Sequence, residues 1–199
     1  MVRIGISVEG PTEERFVKAV LAPYLFGKGI YITPISMGGD VSVDRAKGEL
    51  KKMANSFDYL TTLYDFYGFK KKADNESKAN LEQRLENAVH NGVKPKLIPY
   101  IQMYEFEGIL FSCPEAMERA LNESGVKEWC QGVLDDFNGN PETINNSIET
   151  APSKRLEKET SYRKTTHGPN IAQEIGIDKI RKKCIGFNEW LNKLEALVT

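Results

Sequence analysis

The chain has 199 residues, 40% hydrophobic and 28% charged, with a formal net charge of −1, a composition typical of a globular protein. No apolar run approaches the roughly 20 residues that cross a bilayer, and the first residues are typical of a strand rather than a secretion signal. The three cysteines lie far apart, which indicates neither a disulfide framework nor a zinc site and favours a reducing cytoplasm. The small net charge neither supports nor excludes nucleic acid as a partner.

The N-terminal stretch predicts a strand that runs directly into a helix. A Gly-Pro pair separates the two, since glycine permits a tight turn and proline has a φ suited to the first helical position. Glu9 stands at the tip of the strand, and Glu13 and Glu14 fall in the first turn of the helix. The helix dipole can explain Glu13 and Glu14, but it explains Glu9 less well. Glu9 is therefore the first candidate for a functional carboxylate.

Strands and helices then alternate along the chain. Periodicity predicts helices over residues 11–26, 43–55 and 77–90, and strands over residues 31–36, 57–67 and 96–103. Ser42 is suited to cap the second helix, and Pro99 indicates an edge position or a bulge in the last strand. This alternation predicts an α/β fold, a mainly parallel sheet with helices on both faces.

Beyond residue 111 the pattern changes to short helical segments. We expect helices around residues 114–121, 128–137 and 141–148, followed by a longer one over residues 170–197. Residues 1–113 are expected to form the α/β core. Residues 114–199 are expected to form a helical extension that packs on this core within one compact unit.

Acidic residues follow several of the predicted strands. Glu9 follows the first strand, Asp65 lies near the end of the third, and Glu105 and Glu107 follow the fourth. Ligands of parallel sheets gather at the carboxyl ends of the strands. A site made only of oxygen ligands suits Mg²⁺ or Mn²⁺ better than zinc, and such ions assist phosphodiester displacement.

Three motifs carry a resemblance to a known family: residues 8–13 (VEGPTE), 63–68 (LYDFYG) and 104–112 (YEFEGILFS). Together they resemble Toprim-like proteins related to the overcoming-lysogenization-defect (OLD) class of Toprim nucleases, over nearly the whole chain. The resemblance implies a Toprim-like, Rossmannoid fold and a Mg²⁺- or Mn²⁺-dependent nuclease of DNA or RNA. It also implies a defence or mobile-element setting and a separate ATPase partner.

The resemblance assigns roles to individual residues. Glu9 matches the glutamate after the first strand, Asp65 matches the first aspartate of an Asp-x-Asp motif, and Glu13 matches the second acid of a Glu-Gly-x-x-Glu pattern that binds metal. Lys164, in the polar stretch YRKTTHG, resembles a lysine near the scissile phosphate, where it would stabilise developing negative charge. Glu9, Asp65 and Lys164 are thus the expected catalytic residues. The alternative for Lys164 is a solvated charge in a polar loop.

The chain departs from the family pattern at Tyr67, which stands where the second aspartate of Asp-x-Asp is expected. This removes one metal ligand and leaves the number of metal ions open. Glu105 or Glu107 is expected to replace it, with Glu105 the first choice. The two side chains share a face if the strand continues, but point roughly 200° apart in a helix.

Two further points stay open at the level of sequence. Tyr64, Tyr67, Tyr100 and Tyr104 flank the acidic strand tips, where they either stack on nucleic-acid bases or belong to the strand core. The main alternative function is a non-catalytic Toprim-like partner module of an ATPase. An enzyme acting on phosphoryl groups of small nucleotides is a third hypothesis.

Overall fold

The computed structural model describes residues 1–145 and 147–198 and contains a five-stranded sheet. The strands are β1 (Val2–Val8), β2 (Ile30–Ser36), β3 (Tyr59–Asp65), β4 (Leu97–Ile98) and β5 (Ile101–Gln102). Their order is β2-β1-β3-β4, β5 pairs with β3, and every pairing is parallel. The predicted α/β fold with a parallel sheet is confirmed.

Helices cover both faces of this sheet. They are α1 (Pro11–Phe16), α2 (Ala22–Phe26), α3 (Val43–Met53), α4 (Lys78–Ala88), α5 (Pro114–Leu121), α6 (Val126–Asp136), α7 (Pro152–Glu159), α8 (Lys164–Ile175), α9 (Ile177–Lys183) and α10 (Ile185–Glu195). One hydrophobic cluster joins Ile4 of β1 to Phe16 of α1 and Trp190 of α10. A second joins Tyr64 of β3 to Leu50 of α3. The two clusters lie on opposite faces because side chains alternate along a strand.

The first helix is interrupted where the sequence predicts one continuous helix. A π-helical turn, Val17–Leu21, joins α1 to α2, and the N–H of Ala22 bonds to the carbonyl of Val17. Pro23 follows directly and has no N–H to continue the regular ladder. The wider turn keeps the chain helical across this position, with Val17 and Leu21 buried on the sheet.

The last predicted strand is divided in two at Pro99. β4 and β5 each pair with β3, and the residues between them leave the ladder. The side chain of Thr62 supplies hydrogen bonds where the ladder is broken. Its Oγ1 donates to the carbonyl of Tyr100 at 2.8 Å and accepts the N–H of Tyr100 at 2.9 Å. Of the two expectations for Pro99, the edge position is confirmed, because β4 ends the strand order and Pro99 lies at a break between two short strands.

The C-terminal helices differ from the prediction in several respects. In place of the expected helix over residues 141–148 there are 3-10 turns at Pro141–Thr143 and Ile148–Thr150, and α7 was not predicted. The expected helix over residues 170–197 is three helices, because Gly176 has a left-handed φ of 79° and Cys184 is extended.

Lys164 lies at the first position of α8, so the alternative of a lysine in a polar loop does not hold. The start of this helix is not visible in the sequence because a periodic pattern depends on apolar residues. Those of α8 come only after the polar stretch YRKTTHG.

The last helix is tied closely to the sheet. Trp190 of α10 donates its indole N–H to Oγ1 of Thr61 in β3 at 2.8 Å. Its ring stacks on Tyr100, with centroids 4.6 Å apart and an interplanar angle of 11°. Within the described ranges, no helix is both long and apolar enough to cross a membrane.

Candidate functional site

The carboxyl ends of the two central strands meet at one corner of the molecule. Glu9 directly follows β1, and Asp65 is the last residue of β3, which is the neighbour of β1 in the sheet. The backbone N–H of Asp65 donates to Oε2 of Glu9 at 3.3 Å. Parallel pairing therefore brings these two acids together, although they are far apart in sequence.

Asp65 also organises the segment that follows β5. The carboxylate is 4% exposed, and its Oδ1 accepts the N–H of Phe106 at 2.7 Å. Phe106 is the first residue of a 3-10 helix, Phe106–Ser112, whose first N–H groups have no partner within the helix. Asp65 supplies one such partner, and the 3-10 helix carries Glu107 into the site.

Glu13 lies beside the same corner, in the first turn of α1. Its Oε2 accepts the N–H of Gly10 at 2.9 Å, so one carboxylate oxygen caps the helix start. The side chain is 3% exposed. Its negative charge acts on both Glu9 and Asp65. Glu13 is thus a helix cap and a member of the acidic cluster at once.

Lys164 brings a positive charge into this cluster. Its Nζ lies 3.3 Å from Oε1 of Glu107 and 3.9 Å from Oδ2 of Asp65. Burial disfavours the charged ammonium, but the carboxylates of Glu107 and Asp65 outweigh it and raise the pKa of Lys164. Lys164 is therefore a permanently charged ammonium among acids, rather than a solvated lysine.

Glu107 is the most deeply buried acid of the site. Its side chain is fully buried, and its Oε1 accepts the hydroxyl of Tyr162 at 3.1 Å. Its Oε2 is buried without a hydrogen-bond partner among the residues that the structure describes. Burial raises the pKa of Glu107 to about 7 against the opposing charge of Lys164. A buried oxygen without a partner is a position where a cation or a proton is favoured.

The other two central acids are also perturbed. Burial, followed by repulsion from Glu13, raises the pKa of Glu9. The same two causes raise the pKa of Asp65 well above its usual range. Carboxylates that destabilise one another in this way gain when a cation neutralises them.

Glu105 takes a different direction from Glu107. Its Oε2 accepts the N–H of Ser153 at 2.8 Å, which caps the start of α7. Glu105 precedes the 3-10 helix in extended conformation, whereas Glu107 lies inside it. The two side chains therefore diverge, and Glu107 is the one in contact with Lys164.

Two glycines of the site were not identified from the sequence. A Cβ atom on Gly68 would lie 2.5 Å from both carboxylate oxygens of Glu9, so any larger residue would displace that carboxylate. A Cβ atom on Gly168 would lie 2.9 Å from the Tyr162 hydroxyl and 3.3 Å from Thr12, so α8 can approach α1 closely. Gly68 ends the LYDFYG motif, which was a signal for it, but Gly168 had none.

The four tyrosines near the strand tips fall into two groups. Tyr64 and Tyr100 are buried, and the hydroxyl of Tyr64 donates to Oγ of Ser7 at 2.7 Å. Tyr67 and Tyr104 are only partly buried. The interpretation as strand core thus holds for Tyr64 and Tyr100, whereas Tyr67 and Tyr104 are partly exposed to solvent.

The acids fit a divalent oxygen-seeking cation in their chemistry. Glu9, Glu13 and Asp65 each give one oxygen to a backbone N–H, which leaves their second oxygens for a ligand. Glu107 adds its partnerless Oε2. However, no three His, Cys, Asp or Glu side chains of the described chain are already arranged as a metal-binding group. Closing around an ion would therefore require these side chains to rotate.

Comparisons with known proteins agree with this fold. A family model described as "Domain of unknown function (DUF4276)" matches residues 8–195. No match was found among curated proteins. The C-terminal region of the Burkholderia pseudomallei OLD protein has a similar structure, with a TM-score of 0.56, 14% sequence identity and 100% of both chains covered. This confirms the expected Toprim-like relationship to the OLD class at the level of the fold.

Two structures of the C-terminal region of the Xanthomonas campestris pv. campestris OLD protein also match. One, phased with mercury, has a TM-score of 0.44 and 14% identity, and the other, phased with iodine, has a TM-score of 0.45 and 16% identity. In both cases the match covers 98% of this chain and 96% of the other.

Proposed function

This chain belongs to the family described as a domain of unknown function (DUF4276), and we propose that it is a Mg²⁺- or Mn²⁺-dependent nuclease that cleaves phosphodiester bonds in DNA or RNA. The observation that carries the proposal is the meeting of Glu9, Glu13, Asp65 and Glu107 around Lys164 at the carboxyl edge of a parallel sheet. Oxygen ligands beside a fixed ammonium suit a phosphate-bound divalent ion.

The acids divide into two groups by position. Glu9 and Asp65 lie at the strand tips, and we assign them as the central metal ligands, with Glu13 beside them. Glu107 is better placed than Glu105 to complete the set. Its Oε1 contacts Lys164 and its Oε2 has no partner among the described residues, whereas Glu105 caps α7. A bound ion would supply an activated water and neutralise charge on the phosphate.

Lys164 would act on the phosphate itself. Its ammonium is held by Glu107 and Asp65 and keeps 39% of its side chain exposed, so it can reach a ligand from outside. A hydrogen bond from this ammonium to a phosphate oxygen would stabilise negative charge that builds up during cleavage. Tyr162 holds Glu107, and Glu107 in turn orients Lys164.

The proposed cellular setting rests on the resemblance to the OLD class. The similar Burkholderia chain is the C-terminal region of a longer OLD protein. We propose that the present chain works with a separate ATPase, in defence or on mobile elements. Pull-down of an ATPase with the intact chain from its own cell extract would support this partnership.

The nuclease proposal is tested with purified protein on single- and double-stranded DNA and RNA. Cleavage is expected with Mg²⁺ or Mn²⁺ and not with EDTA, and Glu9→Ala is expected to abolish it. Glu14→Ala is the control, since Glu14 lies in the first turn of α1, close to Glu9 in sequence, but forms a surface ion pair with Lys18. Cleavage that survives Glu9→Ala, or that requires no divalent ion, would contradict the proposal.

One observation favours a second candidate, a non-catalytic Toprim-like module that binds an ATPase. The described residues present no preassembled metal-binding group, and the ammonium of Lys164 already offsets part of the negative charge of Glu107 and Asp65. Calorimetric titration with Mn²⁺ separates the two functions. Saturable binding that Glu9→Ala and Asp65→Asn weaken supports the nuclease, whereas no binding, or binding indifferent to both variants, supports the partner module.

A further inference from the structure

Three partly exposed aromatic rings form a cluster beside the acids. Tyr67 and Tyr104 have ring centroids 5.3 Å apart at an interplanar angle of 45°. Phe66 meets Tyr104 edge to face at 6.4 Å and meets Tyr67 at 6.5 Å. All three side chains are of intermediate exposure, whereas Tyr64 and Tyr100 at the same sheet edge are buried. This ring cluster, Phe66, Tyr67 and Tyr104, is therefore open to a ligand.

The backbone places the ring cluster directly next to the proposed metal site. Tyr67 lies between Asp65 and Gly68 in the sequence. The backbone N–H of Asp65 donates to the carboxylate of Glu9, and a Cβ atom on Gly68 would lie against the same carboxylate. The N–H of Tyr67 donates to the carbonyl of Tyr104 at 2.9 Å, which joins the two loops that carry the rings. Tyr67 is two residues after Asp65, and two residues of chain span at most about 7 Å. A polymer held at the acids would thus meet these rings within about one nucleotide.

A cleft of about 620 Å³ adjoins two rings of the cluster, Phe66 and Tyr104, and reaches the start of α4. Its wall carries four carboxylates against the single ammonium of Lys78: Glu76, Glu82, Glu142 and Glu189. Such a cleft repels a phosphate, but it accepts an uncharged planar group that stacks on aromatic rings and carries N–H donors. An unpaired nucleobase has both properties.

Positive charge lies both among the acids and beside the rings, where the ammonium of Lys72 is 5.1 Å from the centre of the Phe66 ring. Lys164 is among the acids, Lys70 acts electrostatically on Glu9, and Lys154 acts on Glu105. These lysines suit the phosphates of a single strand whose base turns toward the rings and the cleft. A base-paired duplex keeps its bases stacked inside and offers no free ring face to such a cluster.

Tyr104 itself is held in a conformation that tyrosine rarely adopts. Its φ of 58° is in the left-handed region. For residues other than glycine this conformation is unfavourable and persists only where the surroundings enforce it. The strained backbone aims the Tyr104 ring at Tyr67 and the cleft instead of at the core.

We propose that the ring cluster and the adjoining cleft bind an unpaired nucleobase next to the cleavage position, so that the substrate is single-stranded or locally unpaired nucleic acid. The inference rests on the proposed nuclease function and specifies its substrate. It also gives a role to Tyr67, which stands where the Asp-x-Asp pattern has an acid.

The test is fluorescence anisotropy with a labelled single-stranded oligonucleotide in EDTA, where metal-dependent cleavage does not occur. The same strand is compared as a duplex and with abasic sites in place of bases. The intact single strand is expected to bind about tenfold or more tightly than either, and Tyr104→Leu is expected to remove about a tenfold advantage, as loss of one stacked base would. Tyr104→Phe keeps the ring and should bind like the wild type.

Tyr31→Leu is the matched control, because Tyr31 is an exposed tyrosine of the edge strand β2, on the other side of β1 from β3. Should Tyr104→Leu not fold, Tyr104→Gly replaces it, since glycine tolerates the left-handed φ. The proposal is overturned if the abasic strand binds as well as the intact one, if Tyr104→Leu and Tyr31→Leu bind alike, or if the wild type binds no single strand.

These outcomes are separate from those of the nuclease test. If ring-dependent binding of single strands is found but no cleavage occurs with Mn²⁺, the base site stands and the nuclease proposal fails. If cleavage depends on Glu9 while Tyr104→Leu cuts and binds like the wild type, the nuclease proposal stands and the base site fails.

Discussion

Gly68 lies directly against the carboxylate of Glu9, where a Cβ atom would come within 2.5 Å of both oxygens. The loop after β3 therefore borders the acidic site with the backbone of Gly68, which carries no side chain. A methyl group at position 68 would meet only the far end of the flexible Glu9 side chain. The fold can therefore accept Ala at this position if Glu9 moves. The position of the central acid thus depends on a residue that has no functional group of its own.

We predict that Gly68→Ala keeps the fold but displaces the Glu9 carboxylate. Mn²⁺ affinity and nuclease activity should both fall, activity by roughly 100-fold, since a shift of about 1 Å in a catalytic group has that effect. Gly48→Ala in α3 is the control, because nothing lies within 4 Å of its Cβ position. Calorimetry and cleavage assays measure the two effects, and a Gly68→Ala protein with unchanged Mn²⁺ affinity would refute the prediction.

The stability of the metal-free protein is predicted to fall as pH rises. Burial raises the pKa of Glu107 from 4.5 to about 7, so between these values the native state holds a proton that the unfolded chain has released. The free energy of unfolding then decreases with pH, by about 3 kcal/mol for this group alone. The raised pKa values of Glu9 and Asp65 act in the same direction.

Denaturant titrations in EDTA between about pH 5 and about pH 8 measure this slope. Glu107→Gln, which stays neutral throughout, should flatten the curve, and Mn²⁺ should stabilise the wild type more at high pH than at low pH. Stability that rises with pH over this range would contradict the assigned pKa shifts.

Replacing Lys164 should have opposite effects on metal binding and on catalysis. Lys164→Met removes the ammonium near Glu107 and Asp65, so Mn²⁺ should bind at least as tightly as in the wild type, because no protein cation competes. Cleavage should fall by roughly 100-fold through loss of charge stabilisation. The loss of stability should be about 1–3 kcal/mol at neutral pH and smaller in acid, where the carboxylates are protonated.

Lys158→Met is the matched control for this change, since Lys158 is an 81% exposed lysine on α7. Parallel measurements of Mn²⁺ affinity, cleavage rate and denaturation midpoint separate the three effects. Weakened Mn²⁺ binding in Lys164→Met would show that the lysine supports the metal ligands instead of competing with the ion.

We propose that residues 1–113 and 114–199 unfold as one unit, and Trp190 is the residue that tests it. Trp190→Ala removes a stacked ring and a hydrogen bond between α10 and β3, for a predicted loss of about 3–5 kcal/mol. Circular dichroism and tryptophan fluorescence should report coincident transitions in the wild type. A variant whose sheet unfolds at the wild-type midpoint would indicate an independent core.

Much of the α/β core was predictable because its signals are local. Alternation of apolar residues and the Gly-Pro turn placed β1 and the start of α1, and Pro99 marked the break between β4 and β5. The helices beyond residue 111 were predicted less well. Their boundaries depend on single residues such as Gly176 and Cys184, whose backbone conformation is set by packing rather than by periodicity.

The sequence by itself determined that Glu9 and Asp65 stand at the carboxyl ends of strands, because strand period and turn residues are properties of short segments. Only the tertiary structure decided that Lys164 lies among the acids, that Glu107 rather than Glu105 touches it, and that Gly68 supports Glu9. The physical reason is that side-chain direction changes within one residue where the 3-10 helix begins, and that contacts between distant segments arise only when the helices pack on the sheet.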